Sequence, residues 1–491
     1  MSRYYVACDL GMDEIRLLQG TLHKGELTIS PLHSFANVPV KGKDALEWNI
    51  PQIYQELVET LRPLGEHDEP INGISCHSWG SDYVLFKSDG ALVSLPRHRN
   101  DPRTAVGTKK VLSKLPRETI YDETGTLPFT GSTLFQLGAE KSLRFSGTRF
   151  LMPIADGFNY LLSGVPRVEA SQASMTQLYN PATKAWSESL LKFVGVSPKL
   201  FPPVVTAGTE LGPLAPEIAQ QSTLRETKVL ATCSHERAAS LAGLPSNDGE
   251  NWAYVWPGQE TLIGAQLPKP FINETTREMK FSNEVSFGES VCFYKRATGL
   301  WILDECRRFW AQKDREMDDE LLTHLAASAP PFEALINPAD PRFHTPGDMP
   351  LKIQAYCKET NQEVPWKPGP IIRCVLESLA LLYRKVLTEL EYLTGRGSTR
   401  LCFLGLPQNI LLKSFIANAL QLPTLIAPPE AAAIGNIAVQ AVALGHINSL
   451  DEAREIVRHS VKMETIMPHA TIWDTAYQRF VELAVASVPA A

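Results

Sequence analysis

Apolar positions at the start of the chain fall in short continuous or alternating runs, not in helical stripes. The run "YYVACDLGMDEIRLLQGTLHKGELTI" reads as a strand, a tight turn at Gly11, a second strand, a turn at Lys24-Gly25 and a third strand, an antiparallel meander. The period then changes to that of a helix in "IPQIYQELVETLRPL", with apolar residues at Ile50, Ile53, Leu57 and Leu61. "INGISCHSWGSDYVLFKSDGALV" predicts a strand, a polar turn and a hairpin. Residues 97–200 alternate helical stretches with loops. The stretch "TKVLATCSHERAASLAG" predicts a buried strand running into a small-residue helix, with His235 and Glu236 at the junction. In α/β proteins the C-terminal ends of strands are where chemistry is placed.

The second half opens much like the first. "NWAYVWPGQETLIGAQL" predicts an aromatic strand, a Gly-bearing turn with a carboxylate and a second apolar strand, a weak echo of the N-terminal hairpin. Long helices are predicted in "VCFYKRATGLWILDECRRFWAQ" and "IIRCVLESLALLYRKVLTELEYLTG", then the strand "RLCFLGL" and the helix "NILLKSFIANAL". The run "LPTLIAPPEAAAIGNIAVQAVALG" is the most membrane-like, yet Pro428, Pro429 and Glu430 break it, so it reads as a strand, a Pro turn and a buried helix of small residues. The polar cluster "GLPSNDGEN" is linker-like and predicts two domains, residues 1–245 and 246–491. Two meanders, each followed by βα units, define an α/β fold of two ribonuclease-H-like domains of the actin and hexokinase type, with a cleft between them.

Composition narrows the function. A chain of 491 residues exceeds one ordinary core. A hydrophobic fraction of 44% with 21% charged residues is that of a soluble globular protein, and the net charge of −7 argues against nucleic-acid or anionic-membrane partners. The N-terminus "MSRYYVACDLG" lacks the pattern of a signal peptide, so a cytoplasmic protein is expected. The eight cysteines form no C-x-x-C pair and have no His at zinc spacing; buried thiols are expected.

In their order and spacing, "VACDLG", "ISCHSWGSDYVLFKSDGALVSLPRHRNDPRT", "LMPIADGFNYLLSG", "ATCSHERAAS", "NEVSFGESVCFYKRATGLWILDECRRFW", "IQAYCKET" and "PPEAAAIGNIAVQAVALG" resemble the FGGY carbohydrate kinases, most closely the rhamnulokinase branch, over nearly the whole chain. The resemblance implies transfer of the ATP γ-phosphate to a ketose hydroxyl, with a carboxylate taking the hydroxyl proton and Mg²⁺ and Gly-rich turns holding the phosphates. It implies Glu236 as the catalytic base and Trp79, Gly80, Asp82, His235 and Arg237 against the sugar. Asp9, Gly11, Arg16, Gly258, Thr261, Gly405, Gln408 and Asn409 would face the nucleotide, with Asp9 reaching the metal through a water.

The sequence departs from the family's pattern where phosphate chemistry is most demanding. Glu236 stands where the family has Asp, and Arg237 where it has Thr. Asp13 and Glu14 replace a Ser-Ser pair, Gln259 and Glu260 fall in the second turn, Arg296 and Asp304 replace Asn and Gln, Leu406-Pro407 replaces Gly-Gly, and His77 replaces the Asp that opens the sugar-site tip. A carboxylate at contact distance from phosphate repels it by about 4 kcal/mol at an intermediate dielectric, and Pro407 removes a backbone donor. Each residue also has a plainer reading. Glu236 can cap the helix that follows it, Trp79 can be a buried hairpin tryptophan, and Asp13 and Glu14 can be solvated loop carboxylates or a new metal site. Arg237 can neutralise Glu236 or take an anionic ligand. Three functions stay open: a sugar kinase, a degenerate homologue that binds a sugar or sugar phosphate as a sensor or partner subunit, and a ligand-free structural protein.

Overall fold

The computed structural model describes residues 2–66, 69–220, 222–245, 250–313, 317–405, 410–469 and 472–486. The chain forms two compact units, the first from residues 1–248, 266–293 and 430–462, the second from 249–265, 294–429 and 463–491. The expected division after residue 245 adjoins residues 246–249, which lie outside the described residues. The later crossings fall inside strands, at Pro429-Glu430 and at Lys462-Met463, where no composition change marks them.

In the first unit the expected meander forms from Arg3–Leu10 (β1), Glu14–His23 (β2) and Glu26–Ala36 (β3). A Cβ on Gly11 would stand 2.4 Å from the Glu14 carbonyl oxygen, so the first turn closes only around glycine. Ile71–Ser78 (β4) pairs parallel to β1. Thr209–Pro213 (β5) pairs antiparallel to Lys228–Ala231 (β6), which lies parallel to β4. The sheet order is β5-β6-β4-β1-β2-β3. The last six residues of both β1 and β4 are buried, the continuous burial of strands covered on both faces. On one side Ile53 and Leu57 of helix Ile50–Leu61 enter the core beside Val6 and Ile74. Helix Ala431–Ala443 covers the other, its Gln440 donating to the Val6 carbonyl.

That second helix lies against helix Glu236–Ala242 with almost no space between backbones. A Cβ on Gly435 would fall 1.8 Å from the Ala239 carbonyl oxygen and 2.7 Å from the Gly243 nitrogen. The small residues of "ERAASLAG" and "AAAIGN" are therefore a steric requirement of this crossing.

The second unit repeats the plan. Trp252–Trp256 (β7) pairs antiparallel with Glu260–Leu267 (β8), and Val291–Thr298 (β9) lies beyond β8. Arg400–Phe403 (β10) and Thr424–Ile426 (β11) follow in parallel, and Glu464–Ile466 (β12) closes the edge. Within this sheet the run β9-β8-β7-β10-β11 matches β3-β2-β1-β4-β6, so the echo between the halves is structural. One expectation fails here: residues 291–312 are not one helix but β9 followed by helix Trp301–Ala311. The aromatic and β-branched residues of "VCFYKRAT" suit a strand. Gly299 ends it, because a Cβ there would meet the Gly258 carbonyl oxygen at 2.2 Å. Helix Pro368–Thr394, the strand at 400 and the Pro turn followed by a buried helix form as expected. All eight cysteines are buried and none forms a disulfide. Among the described residues no helix is long and apolar enough to cross a membrane.

Candidate functional site

The chemistry of the first unit gathers at the C-terminal ends of β1, β4 and β6. Strand register fixes its centre: Asp9 lies opposite Arg16 on β2 and opposite His77 on β4. Arg16 donates to Asp9 Oδ2 from Nε at 3.1 Å and Nη2 at 2.5 Å, and His77 Nε2 faces Oδ1 at 3.2 Å. A chain of amides sets the histidine tautomer. Gln440 Nε2 donates to the Val6 carbonyl at 2.9 Å and to Asn436 Oδ1 at 2.8 Å. The Asn436 amide nitrogen must then face His77 Nδ1, 3.0 Å away. His77 thus accepts at Nδ1 and carries its proton on Nε2, toward Asp9. Burial would raise the Asp9 carboxyl, but His77 and Arg16 outweigh it and hold it below the usual carboxylate range.

Glu236 is the first residue of its helix, with His235 as the cap. The Ser234–His235 segment is bridged to β4: the Ser78 N–H donates to the Ser234 carbonyl at 2.9 Å. Burial pushes the half-buried Glu236 carboxyl above the usual carboxylate range. Arg237 draws it down, Asp9 raises it, and Arg99 and His77 draw it down. A carboxylate shifted upward beside a second carboxylate held down is the division expected of a proton acceptor and a charge that stays fixed.

The residues expected against a sugar meet different fates. The Asp82 carboxylate accepts from Trp48 Nε1 at 2.7 Å, Trp79 Nε1 at 3.0 Å and Gln136 Nε2 at 2.9 Å. The Trp48 and Trp79 rings lie 4.6 Å apart, and His98 stacks on Trp48. Trp79 is only 2% exposed, so the tryptophans and Asp82 hold one another in the hairpin. Gly80 lies against Met175, where a Cβ would come within 2.9 Å. Ser81 adopts φ +85°, a strained conformation for a non-glycine, and its carbonyl accepts from Thr133 and Gln136. His235 is buried. Arg237 is also buried, in an ion pair with Glu284. Its partner is therefore an acid 47 positions away.

In the second unit the turn at Gly258 is closed by backbone: its carbonyl accepts from the Leu300 N–H at 2.8 Å, and that of Gln259 from the Gly299 N–H at 3.0 Å. The Thr261 hydroxyl is buried against the Tyr383 hydroxyl at 2.7 Å. Glu260 is exposed and pairs with Arg296 at 3.5 Å. Gly405 adopts φ +85°, with no atom of the described residues within 4 Å of the place a Cβ would occupy. Gln408 and Asn409 lie outside the described residues.

Comparison with known proteins decides the family. The profile of the N-terminal domain of the FGGY family of carbohydrate kinases matches residues 4–243, and that of the C-terminal domain matches residues 261–444. This chain belongs to the FGGY family. Curated relatives include the rhamnulokinase of Bacteroides thetaiotaomicron, 32% identical and covering 98% of this chain and 99% of the relative. The rhamnulokinase of Pectobacterium carotovorum is 33% identical over 95% of this chain and 93% of its own. Among solved structures, the xylulose kinase of Lactobacillus acidophilus superposes with a TM-score of 0.80 at 15% identity, covering 99% of this chain and 98% of that one. The glycerol kinase of Plasmodium falciparum, solved with ADP, gives 0.79 at 12%, covering 100% and 99%. These likenesses establish the two-domain fold of actin and hexokinase type.

Sequence reasoning within the FGGY frame missed several residues that shape the site. Asn436 and Gln440 reach β1 and β4 from a helix some 360 residues downstream, and only the helical spacing of two amides in an apolar helix hinted at them. Gln172 donates from one amide to the Ser78, Trp79 and Ser234 carbonyls, tying the β4 and β6 ends together. Asp156 and Glu169 are buried carboxylates beneath the same loop.

Proposed function

We propose that this protein is a sugar kinase of the rhamnulokinase type, in which Glu236 takes the proton from a ketose hydroxyl as the γ-phosphate of ATP is transferred to that oxygen. The observation that supports this best is the Glu236 carboxyl itself. It stands at the helix start, shifted upward by burial, beside an Asp9 kept ionised by Arg16 and His77. Compared with aspartate, glutamate adds one methylene, which keeps the right group and moves it by roughly an ångström, an error worth about a hundredfold in rate. The sugar would sit by the Trp79–Asp82 hairpin, with Trp79 and Asp82 shaping it from behind.

For a divalent ion, Asp9 fits contact through water, because two Arg16 N–H groups already hold Oδ2 and His77 Nε2 stands 3.2 Å from Oδ1. Bound there, Mg²⁺ would offset phosphate charge. Gly258 and Gly405 offer backbone turns for a nucleotide. Thr261, held by Tyr383, would need to release its hydroxyl to serve one.

That engagement, with exposed acids at Asp13, Glu14 and Glu260, favours a second reading, a homologue that binds a sugar or its phosphate without turnover. Calorimetry separates the two. We expect Mg·ATP to bind in the millimolar range, about −4 kcal/mol, with ADP release observed only when a ketose such as L-rhamnulose is present. Sugar binding without ADP release for any ketose or aldose would establish the second reading, and binding of neither ligand would leave a structural protein. Micromolar ATP affinity would overturn the account of the nucleotide side.

A further inference from the structure

We propose that Glu169 is the positioning residue for Glu236, holding through its carboxylate the backbone from which Glu236 projects. The proposal rests on the reading of Glu236 as the proton acceptor, but the contacts that carry it do not. Glu169 Oε2 accepts from the Ser234 N–H at 2.9 Å, from the Ser171 N–H at 3.1 Å and from the Ser171 hydroxyl. The same hydroxyl oxygen accepts the His235 N–H at 3.0 Å. Both peptide N–H groups immediately before Glu236 therefore end on Glu169, one directly and one through a single hydroxyl. From the opposite side, Gln172 and the Ser78 N–H take the Ser234 carbonyl. The peptide plane is fixed at both of its polar groups.

The grip depends on charge. Hydrogen bonds to an ionised carboxylate are shorter and about twice as strong as those to a neutral acid. Glu169 is 1% exposed, and its second oxygen, Oε1, has no hydrogen-bond partner among the described residues, which makes it the place for a proton. The groups facing it are Asp156, whose Oδ2 accepts the Glu169 N–H at 3.1 Å, Tyr179, Cys233, and the Lys184–Glu289 ion pair. No lysine or arginine among the described residues pairs with Glu169. A cavity of about 40 Å³ is lined by Glu169, Tyr179, Lys184, Thr206, Ser286 and Glu289, enough for water and a path for the proton. Burial lifts the Glu169 carboxyl to about 7, so the clamp tightens as pH rises through neutrality.

Two measurements on the full-length protein test this. In hydrogen exchange of the 231–243 segment, corrected for intrinsic rates between about pH 5 and 9, protection of the Ser234 and His235 amides against local openings that leave Glu169 buried should rise through neutrality. In Glu169→Gln it should be pH-independent and roughly tenfold lower or more. This arm needs no turnover and stands whether or not the protein is a kinase. In steady-state kinetics, Glu169→Gln should lower kcat roughly 10- to 100-fold with little change in KM for the sugar, and lose the limb near neutrality. Glu169→Asp should keep that limb and recover part of kcat. Wild-type protection in Glu169→Gln overturns the proposal, as does a kcat profile that keeps the limb near neutrality in addition to the limb of Glu236. A wild type without turnover but with the expected exchange overturns the kinase reading alone.

Discussion

Replacing Gly435 by alanine tests whether the crossing of helices Glu236–Ala242 and Ala431–Ala443 sets the position of Glu236. The added Cβ would stand 1.8 Å from the Ala239 carbonyl oxygen, 2.8 Å from its carbonyl carbon and 2.7 Å from the Gly243 nitrogen. All three are backbone atoms, so no side chain can swing away. Restoring ordinary contact at about 3.5 Å requires the helices to part by about 1.7 Å at this point. Glu236 lies one turn before Ala239 on the same short helix and moves with it. A shift above 1 Å at a reacting group costs roughly a hundredfold or more in turnover, and overpacking of a core costs about 1–3 kcal/mol. Urea unfolding measures the second effect as a lower midpoint at unchanged m, and a coupled ADP-release assay measures the first. Gly243→Ala meets the Gly435 nitrogen at 2.7 Å and the Ala431 carbonyl oxygen at 2.8 Å and should behave alike, with the double variant less than additive. Gly397→Ala, which meets no atom of the described residues within 4 Å, is the control and should stay within about 0.5 kcal/mol of wild type. If Gly435→Ala unfolds with the control and turns over like it, the close crossing does not position Glu236.

Further expectations concern the half-buried Glu236 and the buried Glu169. Glu236→Asp should raise turnover by restoring the shorter reach, and Glu236→Gln should abolish it while sparing sugar affinity. On the proposed reading Glu236 acts as the base only when ionised, and burial raises its carboxyl, so kcat should fall with decreasing pH at a higher pH than an ordinary carboxylate would give; a limb at the ordinary value would argue against Glu236. Glu169 makes a separate statement about stability. Its folded pKa of about 7 lies above the ordinary 4.5, so the folded state binds the proton more tightly, and the stabilisation is complete below 4.5 and lost as pH rises through 7. At 1.36 kcal/mol per pH unit this amounts to about 3 kcal/mol. Wild type minus Glu169→Gln stability, from urea titrations between about pH 4.5 and 8, should fall by that order, and a flat difference would show that Glu169 is not buried as an acid.

Much of the fold was legible locally. The alternating and continuous apolar runs of β1, β2, β3 and β4, the period of helix Ile50–Leu61 and the strand-to-helix step at His235-Glu236 depend on neighbours within a few residues, and they form as read. The stretch 291–312 was misread because a buried strand and a buried helix share an apolar run, and the break at Gly299 is set by the carbonyl of Gly258, forty-one residues earlier. The site divides in the same way. Sequence placed Asp9, His77 and Glu236 at strand ends, because that follows from where each strand stops. It did not supply the partners. The ion pair of Arg237 with Glu284, the hold of Asn436 on His77, the bonds of Trp48 and Gln136 to Asp82 and the grip of Glu169 on Ser234 join residues 34 to 359 positions apart. A side chain's charge and hydrogen-bonding capacity are written in its own letter. What it is spent on is decided by the surface that folding brings against it, and only the tertiary structure fixes that surface.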